Sequence, residues 1–191
     1  TDTSESLGPC DVETDNDSEI VTIVFESPIK VGSYLLALEF KGTLNDQLRG
    51  FYKSQYEDTT GKTQYIAATQ FESTDARRAF PCWDEPAMKA TFDLTLVIPR
   101  ELTGISNTLV KSENLITPDK KEITFETTPV MSTYLLMFIV GDLACVETKV
   151  PSGPIVRVWA TKGKESQGEF ALENSVRLLE YMNNYFKIPY P

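Results

Sequence analysis

In the stretch TQFESTDARRAFPCWDEP, residues 69–86, Gln70 and Glu72 stand two apart at the end of an extended run. Residues i and i+2 of a strand share a face, so this amide and this carboxylate can point at one spot. A primary ammonium brings three N–H donors and a positive charge, and the pair offers it acceptor oxygens. A peptide α-amino group, with a pKa of ~7.7–8.0, is largely protonated at neutral pH and is such a ligand. The plain structural alternative is a polar pair on an exposed strand, which is a common arrangement.

The remainder of the stretch reads as a self-neutralising structural knot. Ser73 or Thr74 can cap a short helix, with Asp75 in its first turn. Arg77 and Arg78 have Asp75, Asp84 and Glu85 as possible partners. Phe80, Cys82 and Trp83 are expected to bury, and Pro81 and Pro86 to stiffen the backbone.

What the chain lacks narrows the chemistry further. None of the 191 residues is histidine, which excludes a Ser-His-Asp triad, a Cys-His pair and a histidine-ligated zinc within this chain. Cys10, Cys82 and Cys145 form no CxxC pair. No catalytic and no metal-ligating residue is therefore assigned here. The net charge of −10 argues against nucleic acid or an anionic membrane surface as partner. The apolar run YLLMFIV (134–140) falls far short of the ~20 residues of a membrane span and reads as a buried strand. No signal-peptide pattern opens the chain. An odd number of dispersed cysteines fits a reducing compartment, and the lone Asn16-Asp17-Ser18 sequon fits chance occurrence.

The elements that must position Gln70 and Glu72 are mostly strands. Residues 1–18 are acidic and read as a solvated loop or tail. EIVTIVFE (19–26) and SYLLALEFKG (33–42) are rich in strand formers, FYKSQYED reads as an edge strand, and YIAATQF (65–71) as another. KATFDLTLVIP (89–99), TGISNTLV, KEITFETTP and MSTYLLMFIVGDL continue at the intervals of an antiparallel sandwich. One long helix is expected between about Ser166 and Lys187. It carries Phe170, Ala171, Ser175, Leu178, Leu179, Met182, Tyr185 and Phe186 on one side, and Pro189 stops it. Pro151, Ser152, Gly153 and Pro154 read as a linker, with a β-sandwich over 19–152 and a βα unit over 153–191.

The run TQFESTDARRAFPCWDEPAMKATFDLTLVIP closely resembles the N-terminal domain of zinc aminopeptidases of the aminopeptidase N family. The likeness is greatest to the cytosolic puromycin-sensitive branch. GTLNDQLRGFYKSQY, TPVMSTYLLMFIVGDL and FALENSVRLLEYMNNYFKIPYP extend it across residues 19–191. The resemblance implies a mainly β fold: an antiparallel sandwich lacking the family's first strands, then the first strand and helix of a thermolysin-like catalytic domain. That domain's G-x-M-E-N and H-E-x-x-H motifs are absent from this sequence. It further implies a parent zinc metallo-aminopeptidase that takes peptide N-termini and holds zinc outside this chain, so that the chain alone is inactive. Within such a parent, Gln70 and Glu72 line the pocket for the substrate's first residue, and Glu72 helps hold its free amino group. The other parent domains are the expected partners. The alternative is a truncated, inactive homologue that serves as a protein-interaction module.

Overall fold

The computed structural model describes residues 11–150 and 153–190. In chain order the strands are β1 (Asp11–Asp15), β2 (Ile20–Val24), β3 (Gly50–Glu57), β4 (Thr63–Gln70), β5 (Thr95–Pro99) and β6 (Thr103–Ser106). They continue as β7 (Val110–Thr117), β8 (Lys120–Phe125), β9 (Phe138–Gly141), β10 (Leu143–Lys149) and β11 (Ile155–Thr161). Helix α1 (Glu169–Phe186) follows. The fold is mainly β, and every pair of neighbouring strands is antiparallel.

Two sheets make the body. One has the order β3-β4-β9-β6 and the other β5-β8-β7. Period-two patterning sends Leu96 and Ile98 of β5 and Ile123 and Phe125 of β8 to a shared core, which Val140 of β9 joins from the first sheet. The sheets approach closely at Gly104 of β6. A Cβ there would stand 3.0 Å from Ile123 Cδ1 and 3.3 Å from Leu96 Cδ1, so any larger residue would push the layers apart.

A second core lies under residues 69–86. Phe71, Ala76 and Leu136 are buried, and Phe80, Cys82, Phe92, Met131, Tyr134 and Phe138 pack around them. The Phe71 ring meets Phe80 and Phe138 edge-on, at centroid distances of 5.9 and 6.1 Å, the geometry that aromatic quadrupoles favour. Burying a phenylalanine of this kind contributes ~1.5–3 kcal/mol.

Several expectations need correction. Residues 11–15, read as part of a loop or tail, form β1, which pairs with β2 from Asp11↔Val24 to Asp15↔Ile20. Asp15 closes that hairpin by accepting from Asp17 N–H at 3.0 Å, Ser18 N–H at 3.3 Å and Ser18 Oγ at 2.6 Å. The small acidic residues are thus turn chemistry as much as solvated chain; the first ten residues of the expected tail lie outside the described ones. SYLLALEFKG (33–42) forms no strand despite its composition, and Leu35 and Phe40 are exposed. A strand needs a hydrogen-bonded neighbour, and no strand of the described residues pairs with it.

The chain also continues differently past residue 149. β10 and β11 pair over seven positions, from Leu143↔Thr161 to Lys149↔Ile155, so strands on either side of the boundary expected at residue 152 join in one sheet; Pro151 and Ser152 of the expected linker lie outside the described residues. Val150 N–H donates to Pro154 O at 2.9 Å and Gly153 N–H to Val150 O at 3.0 Å. Proline and glycine serve a tight turn as readily as a linker, which explains the reading. Helix α1 lies on this hairpin and ends in left-handed Lys187 (φ 56°). Its expected apolar stripe is mostly open: Phe170, Leu178, Met182, Tyr185 and Phe186 are exposed, whereas Leu172, Val176 and Leu179 are partly covered. No helix of the described residues is long and apolar enough to cross a membrane.

Candidate substrate-binding site

Gln70 is the last residue of β4, and Glu72 stands in the turn that leaves it. Between them Phe71 is 2 % exposed while both neighbours are exposed. The buried ring fixes the local alternation and turns the amide and the carboxylate away from the core. The ion pairs of the stretch among the described residues run through Arg77 and Arg78 and leave Glu72 aside.

The hairpin carrying Gln70 is held at both ends. At its far end Asp58 Oδ1 accepts from Thr60 N–H at 2.9 Å, Thr60 Oγ1 at 2.6 Å and Lys62 N–H at 3.1 Å, and Oδ2 accepts from Gln64 Nε2 at 3.0 Å. The Thr60 hydroxyl, then Gln64, hold its carboxyl well below the usual carboxylate range. At the near end Gly50 pairs with Gln70, and Thr69 Oγ1 accepts from Phe138 N–H of β9 at 3.1 Å.

Behind the pair, Asp75, Arg77, Arg78 and Asp84 form the expected knot. The Asp84 side chain is 3 % exposed. Its Oδ2 accepts from Arg77 N–H and Arg77 Nε, both at 3.1 Å, and its Oδ1 from Thr133 Oγ1 at 2.9 Å. Its carbonyl accepts from Arg77 Nη2 at 3.2 Å. This saturation is what a buried charge requires, and in turn the hydrogen bond to Asp84 raises the Arg77 guanidinium above its ordinary pKa. Arg78 Nε donates to Asp75 Oδ1 at 2.6 Å. Burial, then the Asp84 charge, pushes the Cys82 thiol up to about 11, so it is a packing residue rather than a nucleophile.

Details of the knot differ from expectation. A 3-10 helix covers Ala76–Arg78, and Asp75 rather than Ser73 or Thr74 occupies its N-cap, without a side-chain cap bond. Its carboxylate is engaged by Arg78 instead. Trp83, expected to bury, is 72 % exposed; the core beside it is filled by Phe80 and Cys82. Three contributors had no local signal in the sequence. Thr133 reaches Asp84 across 49 positions, Ser132 Oγ donates to Pro86 O at 2.6 Å across 46, and Glu19 meets Arg77 at 3.4 Å and Arg78 at 3.3 Å. Only the antiparallel return of the chain brings these groups together.

The zinc implied by the resemblance does not fit this chain's donor set. The sequence has no histidine, and among the described residues no three cysteine, aspartate or glutamate side chains converge on one point.

Residues 3–135 match the peptidase M1 N-terminal domain. The chain is 48 % identical to Aminopeptidase M1-C of Oryza sativa subsp. japonica over 98 % of its own length, covering 21 % of that protein. It is 44 % identical to Puromycin-sensitive aminopeptidase of Caenorhabditis elegans over 100 % of its length and 20 % of the relative. Against Aminopeptidase 2, mitochondrial, of Saccharomyces cerevisiae it is 50 % identical over 84 % of its length and 17 % of the relative. The chain thus spans about a fifth of the length of these curated relatives. With residues 3–135 matched by that family and its antiparallel β architecture in keeping with it, the chain belongs to the peptidase M1 N-terminal domain family.

Proposed function

We propose that this chain is the non-catalytic N-terminal portion of a cytoplasmic zinc aminopeptidase that removes N-terminal residues from peptides. Gln70 and Glu72 contribute to the pocket for the substrate's first residue, and Glu72 pairs with its free ammonium. The carrying observation is the exposed–buried–exposed order of Gln70, Phe71 and Glu72 at the end of a pinned hairpin. It offers a fixed carboxylate and amide to a ligand, and the relatives are aminopeptidases by name. The rest of the pocket and the zinc ligands come from the part of the protein outside this chain.

The physical logic suits an exopeptidase. A carboxylate fixed at the closed end of a cleft is satisfied by an N-terminal ammonium, whereas an internal residue presents an amide and leaves the charge unpaired. Rejection of internal segments follows. A charge-assisted hydrogen bond of this kind contributes ~1.5–3 kcal/mol, or about 10- to 100-fold in kcat/KM.

In the full-length protein, Glu72→Ala should lower kcat/KM for free-amine substrates by about 10- to 100-fold. Zinc content and thermal stability should stay unchanged, because an exposed carboxylate supports little of the core. Gln70→Ala should cost less, since a neutral amide bonds an ammonium more weakly than a carboxylate does. Unchanged kinetics in Glu72→Ala would remove Glu72 from the pocket.

A further inference from the structure

We infer that Gly50 is a positioning residue for the Gln70–Glu72 pair: it is the point where the strand carrying Gln70 is set against the turn carrying Glu72. This rests on the pocket reading above and extends it to a residue that touches no ligand.

Three observations carry the inference. Gly50 opens β3 directly across from Gln70 in the β3–β4 register, so a displacement of Gly50 is passed to Gln70 through the ladder. It is buried and has φ +63°, in the left-handed region. Most tellingly, a Cβ on Gly50 would stand 2.7 Å from Arg78 Cβ and 3.4 Å from the Asp75 carbonyl oxygen. Arg78 Cβ is tied to backbone, so it cannot swing aside as the end of a flexible side chain could.

One of two bodies must then move. If β3 retreats, Gln70 moves with it. If the Ala76–Arg78 helix retreats, it draws on the turn that holds Glu72, because Asp75 N–H donates to Phe71 O at 2.9 Å and closes that turn. Either way the amide and the carboxylate lose their mutual placement, and a misplacement of ~1 Å can cost as much as ~100-fold in rate.

Gly61, at the other end of the same hairpin, supplies the control. Its φ is +81°, yet a Cβ there meets nothing within 4 Å. Asparagine tolerates the left-handed region better than most residues, so Gly50→Asn and Gly61→Asn differ mainly in the close contact. In the full-length protein the readout is the preference for a free-amine dipeptide inhibitor over its N-acetylated form. Gly50→Asn should lower that preference about 10-fold or more while zinc content is kept. Gly61→Asn should leave it at the wild-type value. Arg78→Gly deletes the opposing Cβ, so Gly50→Asn/Arg78→Gly should return to the preference shown by Arg78→Gly alone.

A folded Gly50→Asn protein with undiminished preference overturns the inference, as does an equal loss in Gly61→Asn. If Gly50→Asn alone does not fold, the double variant decides: recovery to the Arg78→Gly level supports the close contact, and failure to recover overturns it. Glu72→Ala run alongside separates the two levels. Its keeping the preference defeats the pocket reading, and this inference with it. Its losing the preference while Gly50→Asn keeps it defeats the role of Gly50 alone.

Discussion

Glu72 and Asp84 are carboxylates of one short stretch, and the fold treats them in opposite ways. Asp84 is almost wholly buried and accepts from Arg77 and Thr133 through both oxygens. Glu72 is exposed, and the stretch's ion pairs among the described residues pass it by. A carboxylate with its acceptors filled from within is a structural element, whereas one held on a rigid frame with free oxygens can serve a ligand. The difference lies in the neighbours that the fold assembles, since the two side chains have the same chemistry.

The largest effects are expected at the buried carboxylate. Arg77→Ala leaves Asp84 as a buried anion without its guanidinium, and the loss in unfolding free energy should be ~3–5 kcal/mol, seen as a lower urea midpoint. Asp84→Ala removes the buried charge itself. The Arg77 side chain is 32 % exposed and keeps Glu19 beside it, so the orphaned groups are chiefly Arg77 N–H and the Thr133 hydroxyl. That loss should be smaller, ~1–3 kcal/mol for a buried unsatisfied group. The opposite ranking would show that Asp84 matters more for its packing than for its charge.

Cys82, beside Asp84, reports on the buried carboxylate through pH. Its thiol is raised in the folded state by burial and then by Asp84, so the unfolded chain gives up this proton first. Between the ordinary thiol pKa, ~8.5, and about 11 the unfolded state binds fewer protons, and stability falls as pH rises through that window. The wild-type urea midpoint should decline there, and Cys82→Ala should flatten that decline. A slope that is the same in both proteins would count against a buried thiol next to Asp84.

The smallest effect belongs to Arg78→Ala. The Arg78 side chain is 40 % exposed and its Glu19 partner 41 %, while Asp75 at 15 % is the one partner largely covered. Exposed ion pairs contribute ~0–1 kcal/mol, so the urea midpoint should move little and far less than in Arg77→Ala. Two adjacent arginines thus separate by their environments, as the two carboxylates do.

Much of this could be read from the sequence, and what could not has a physical cause. The mainly β character, the long helix and the Arg–Asp groupings follow from local periodicity and charge, whereas Glu72 stands in the turn beyond β4 rather than in the strand with Gln70. Trp83 was misread because an aromatic flanked by prolines looks apolar, whereas the space beside it is taken by Phe80 and Cys82. Residues 33–42 were misread because strand composition does not supply a pairing partner. Proline and glycine after residue 150 read as a linker, and the pairing of β10 with β11 across them was not legible because a linker and a tight turn use the same residue types. Thr133, Ser132, Glu19 and Gly50 escaped notice because their roles depend on contacts across 20 to 59 positions. No window of the sequence contains both partners of such contacts.

On the proposed function, the Glu72 carboxylate meets the ammonium of a peptide N-terminus. A thermodynamic cycle in the full-length protein tests it most directly. Wild type and Glu72→Ala are each titrated with a non-hydrolysable dipeptide analogue and with its des-amino counterpart. A coupling energy of ~1.5–3 kcal/mol between Glu72 and the amino group is expected. A coupling indistinguishable from zero, with both proteins folded and zinc-loaded, would contradict it.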